Sequence, residues 1–181
     1  MWQKLSKSYP PQFELLPLSL LLVSIYLAVS SYSSLPDRVP THFNFWGVPD
    51  GWGDKSSILA LLVLNAFVYV LLTVINVLLA IVRDPRKLIN LPERRKAALT
   101  DAQVEWLRIF LNRCLFVMKM LIQGFLLYIV YITIEIALGR ASGLGDYWFL
   151  FLMAIMALVF FMVWKSFRIA TLGSEKKSGR R

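Results

Sequence analysis

The chain has 181 residues, 57% of them hydrophobic and 17% charged, with a net charge of +9 and a mean hydropathy of +0.60. Soluble domains carry roughly a quarter charged residues, so a chain this apolar is expected to have lipid as its solvent. Its one cysteine, Cys114, excludes an intrachain disulfide, and its one histidine, His42, excludes multi-histidine haem or di-metal schemes.

A helix needs about 20 mostly apolar residues to cross a bilayer. Residues 1–14 carry Lys4 and Lys7 and precede a first span at 15–34, where Pro17 lies near the helix start. A basic start and Ala28-Val29-Ser30 loosely resemble a cleavable signal. The apolar run is long for that, and three more spans follow, so retention is expected.

The connector at 35–57 holds three prolines, three glycines, four aromatics and His42. A plain link between two helices needs only a handful of residues. Asp50-Gly51 after Pro49 signals a turn, Gly47 and Gly53 are candidates for positive φ, and residues 41–46 suit a short extended segment. The expected result is a compact, ordered loop.

The second span, 58–82, has no charged residue. Asn65 and Asn76 lie eleven residues apart, about 20° around a helix. They form one polar stripe suited to hydrogen bonds with neighbouring helices. Residues 83–112 form a basic loop and helix. Pro92 suits a helix start, with Asn90 as its cap. Thr100-Asp101-Ala102-Gln103 fits a capping box, flanked by Leu99 and Val104 at staple positions. The acidic Asp101 and Glu105 suit a first turn, so a long helix is expected to start near Thr100 and run on through the third span at 113–138. Trp106 is expected at the headgroup level.

Lys119 and Glu135 lie within the third span, and either can snorkel to an interface. Tyr128, Tyr131 and Glu135 share one helix face, and Lys55 or Arg38 is the expected partner of Glu135. A turn at 139–146, a fourth span at 147–164 and a basic tail at 165–181 complete the chain, the tail's last residues expected to be disordered. The predicted fold is all-α integral membrane, four transmembrane helices with an ordered extracytoplasmic loop between the first two.

Orientation follows from lysine and arginine. Sixteen lie before the first span, in the loop at 83–112 and its junction with the third span, and in the tail, against three (Arg38, Lys55 and Arg140) in the other two loops. Both termini and the basic loop are therefore expected in the cytoplasm, beside anionic lipid headgroups. The same distribution accounts for the charge without nucleic acid.

The run Leu35-Pro36, Val39-Pro40-Thr41-His42-Phe43-Asn44 and Gly47-Val48-Pro49-Asp50-Gly51-Trp52-Gly53-Asp54-Lys55 resembles the signature of bacterial membrane proteins of domain of unknown function 1648. Asn90-Leu91-Pro92-Glu93-Arg94-Arg95 resembles a weaker second element. That domain forms the first half of immunity proteins against the sporulation-delaying-protein toxin. The resemblance implies a bacterial inner-membrane protein whose outward loop recognises a peptide or envelope ligand, through Pro40, Thr41, His42, Asn44, Gly47, Asp50, Gly51 and Lys55. The chain lacks the further spans of the full immunity proteins.

Taken alone, His42 and Asp50 suit hydrogen bonds to backbone that lock the loop, and with Asp54 they make a weak metal set. No catalytic motif is present, and neither enzyme activity nor a cofactor is expected. The expected function is immunity- or sensor-like ligand recognition. The alternative is an accessory subunit of a larger membrane complex.

Overall fold

The computed structural model describes residues 9–82, 84, 86 and 92–178. After a 3-10 turn at Pro11–Glu14 come α1 (Leu15–Ser31), the strands β1 (Arg38–Phe43) and β2 (Pro49–Asp54), and α2 (Ser57–Ile81). Then follow the short α3 (Glu93–Ala98), α4 (Asp101–Ala137) and α5 (Tyr147–Ser178). Four helical segments, Pro11–Ser34, Ser57–Ile81, Asp101–Ala137 and Tyr147–Ile169, are long and apolar enough to cross a bilayer. The protein is a multi-pass membrane protein.

The all-α expectation is corrected by one feature, the antiparallel β1–β2 hairpin inside the 35–57 connector. Helix α5 continues past its apolar span to Ser178, through most of the stretch expected to be a disordered tail. Ile169 packs against Leu99, Val104 and Leu107 and gives the helix a reason to extend. The expected cap Asn90 and the basic residues Lys4, Lys7, Arg83, Lys87, Arg180 and Arg181 lie outside the described residues.

The chain divides into two compact units. One comprises Glu14–Leu71 and Lys119–Ile155, the other Met1–Phe13, Leu72–Met118 and Met156–Arg181. In the first, Val39 of the hairpin is fully buried with Ala28, Leu35, Ile58, Val130 and Ile134. This anchors β1 to α1, α2 and α4. A second cluster joins Ile132, Ile136 and Leu144 to Phe43 and Trp148.

In the other unit the capping box forms as the sequence predicts. The amide of Gln103 donates to Thr100 Oγ1 at 3.3 Å, and the amide of Thr100 donates to Gln103 Oε1 at 2.9 Å. Leu99 and Val104 are buried together, the staple that sets the chain's entry into α4. Asp101 accepts from Arg86 at 2.7 Å, while Glu105 pairs with Arg108 at 2.5 Å. Trp106 is half exposed, stacked on Phe110 and lying beneath the Lys165 ammonium.

Candidate functional site

Two groups of residues carry chemistry, the hairpin with the loop docked on it and a set of polar side chains inside the spans. The hairpin begins with β1, whose Pro40 has no N–H to offer the ladder. The register shifts between Pro40 and His42, so Thr41 is absorbed in a bulge. The chain reverses over Asn44–Gly47 rather than at the expected Asp50-Gly51. Asn44 decides this, because its side-chain Oδ1 accepts from the amides of Trp46 at 2.9 Å and Val48 at 3.0 Å. Its carbonyl accepts from Gly47 at 2.9 Å. Gly47 adopts φ +74°, where a Cβ would also lie 3.1 Å from Leu144.

Gly53 shows no positive φ, and neither does Gly51. Gly51 serves a close approach instead, since a Cβ there would lie 2.9 Å from His42 Cβ across the strands. The expected extended segment is thus shifted to Arg38–Phe43, with residues 44–46 given over to the turn.

The junction with α2 is pinned by Lys55, whose amide donates to Asp37 O at 3.0 Å and whose ammonium is 3.4 Å from the Asp37 carboxylate. Asp54 accepts from the Ser56 amide at 2.8 Å. Hydrogen bonds from Ser56, hydroxyl first and amide second, hold its carboxyl below the usual aspartate range. A further tie runs from the Leu144 amide to Gly47 O at 2.8 Å, which fastens the 139–146 turn to the hairpin.

His42 and Asp50 do not bond backbone, as the sequence suggested, but each other, Nδ1 to Oδ1 at 2.5 Å. Their side chains are 71% and 44% exposed. A side-chain pair so exposed contributes about 0–1 kcal/mol, too little to be what holds the hairpin. Beside it stand Phe45 and Trp46, 78% and 79% exposed and packed edge to face, with Trp52 also exposed. Among the described residues no three histidine, cysteine, aspartate or glutamate side chains converge.

The intramembrane candidates resolve differently. Glu135 pairs with Arg140 at 3.4 Å, while Lys55 goes to Asp37 and Arg38 to the carbonyl of Trp52, so the expected pairing fails. The helix end brings Arg140 back over Glu135, as the Arg140 amide donates to the Glu135 carbonyl. Lys119 does not snorkel. Its side chain is fully buried and paired with Glu14, with the ring of Tyr69 5.6 Å away. Tyr69 in turn donates to Glu14 at 2.8 Å.

Asn76 donates to Asn112 Oδ1 at 2.6 Å and to its carbonyl at 3.0 Å, a direct link between α2 and α4. Asn65 is equally buried, and Gln123 donates weakly to its carbonyl at 3.4 Å. Glu14, Asn112 and Gln123 were missed by sequence reading. The signal for two of them was there: Asn112, Lys119 and Gln123 recur at spacings of seven and four, one face of α4.

No curated protein and no solved structure matches the chain. A protein-family model does, over the stretch that runs from α1 through the hairpin into α2. Residues 19–66 are similar to the family described as Domain of unknown function (DUF1648).

Proposed function

We propose that this is a non-enzymatic, immunity- or sensor-like protein of the bacterial inner membrane, whose hairpin faces outward and recognises a peptide or envelope ligand. The observation that carries the reading is a division of labour within the hairpin. Asn44, Gly47, Gly51 and Lys55 are consumed by the turn, the strand approach and the junction. The His42–Asp50 pair and the Phe45–Trp46 tip are left exposed and contribute little to holding the hairpin together. A surface with aromatic anchors and one polar pair has the composition of a recognition patch.

The outward orientation rests on the sixteen-to-three distribution of basic residues. The link to immunity rests on the resemblance to proteins that protect against the sporulation-delaying toxin.

The test is a challenge assay. Susceptible cells expressing the chain are exposed to purified sporulation-delaying toxin peptide, and the inhibitory concentration is read. The native chain is expected to raise it several-fold, and His42→Ala or Phe45→Ala to abolish the gain while membrane insertion persists. Full protection by both variants would sink the recognition role of the hairpin.

A second reading is an accessory subunit of a larger membrane complex. It is favoured by the fourth span, whose most apolar window contains no buried residue. Stoichiometric co-purification with a large assembly after mild extraction, together with no protection in the challenge assay, would select it.

A further inference from the structure

Two hollows, the first bordering the hairpin, share three tyrosines. The first is an open cleft of about 540 Å³, lined by Trp46, Tyr128, Tyr131 and Tyr147 together with Ser142 and Asp146. Asp146 is the one charged residue in that lining, and no lysine or arginine belongs to it. Among the described residues Asp146 is exposed and forms no ion pair. The second is an apolar groove of about 490 Å³, walled by Val23, Leu27, Leu127 and Phe151 and floored by Gly124. Tyr128, Tyr131 and Tyr147 line both.

Position in the chain tells the two apart. The groove's walls belong to the spans Pro11–Ser34, Asp101–Ala137 and Tyr147–Ile169, so they face hydrocarbon. Ser142 and Asp146 of the cleft lie between spans, at the level where headgroups begin. Interfacial tyrosines and tryptophans ordinarily form a belt around a membrane protein. Here four aromatic side chains from three stretches of chain converge on one cleft and share it with a carboxylate.

Ring faces attract ammonium groups, and a carboxylate adds a charge-assisted hydrogen bond. An anionic headgroup would meet Asp146 with no cation to offset it.

We propose that the cleft and groove form one site for a single phospholipid with a primary ammonium head, a phosphatidylethanolamine. Its ammonium lies among Trp46, Tyr131, Tyr147 and Asp146, and one acyl chain runs down the groove over Gly124. Gly124 and Phe151 both line the groove, and a Cβ at Gly124 would lie 3.3 Å from the Phe151 ring. The site takes only Trp46 and Val48 from the hairpin, so it does not depend on which ligand the hairpin itself binds.

The test is native mass spectrometry of the full chain with equimolar phosphatidylethanolamine and phosphatidylglycerol. One phosphatidylethanolamine is expected to be retained about fivefold over phosphatidylglycerol. Asp146→Asn and Tyr147→Leu should bring that ratio towards one with helix content unchanged, and Leu27→Trp should reduce retention of both lipids. Equal retention by the native chain, or a preference that survives both head-site variants, overturns the proposal. It is also overturned if a lysine-bearing hydrophobic peptide binds in an Asp146-dependent way while the lipids show no preference.

Discussion

At the scale of single residues, a costly placement is that of Lys119, whose side chain is fully buried. An ammonium away from water is tolerated when a carboxylate stands against it, and Glu14 supplies one, itself held by Tyr69. Removing one partner of such a pair is far worse than removing both, because the survivor keeps its desolvation cost without its counter-charge. Glu14→Gln is therefore expected to destabilise the protein by about 3 kcal/mol, read as a lower thermal midpoint in detergent. The double variant Glu14→Gln/Lys119→Met should recover most of that loss. If the single variant melts with the native chain, the pair is not holding the structure. The sequence displayed both charges but not the pairing, because 105 residues separate them and no local spacing rule reaches that far.

At the scale of elements, local chemistry was the most legible. The start of α4 follows from four consecutive residues whose side chains and amides satisfy one another, so the capping box, its staple and the long helix beyond all appear where expected. Thr100→Ala should cost about 1 kcal/mol and fray the first turn. Faster amide hydrogen exchange at 102–104 would register it, and unchanged exchange would count against the cap. The hairpin was less legible because two turn signals competed within ten residues. The Asx-type bonds of Asn44 prevailed, and Asp50-Gly51 became strand, where Gly51 is needed for its missing Cβ rather than for its φ.

At the scale of the whole molecule, four candidate spans and a strongly one-sided distribution of basic residues predict a topology that can be tested. With Cys114 replaced by serine, a single cysteine at position 46 should react with an impermeant thiol reagent on intact cells. One at position 96 should react only after the membrane is opened. The reverse pattern would invert the assignment and remove the basis for an outward hairpin. The positions of the spans were set by the sequence alone, since hydrocarbon demands about 20 apolar residues in a row and that is a one-dimensional property. Only the tertiary structure decided which polar residues meet: Glu14 with Lys119, Asn76 with Asn112, and His42 with Asp50. Those meetings depend on which faces of distant segments are turned together, and in a membrane that is governed by packing and by the cost of leaving buried polar groups unpaired.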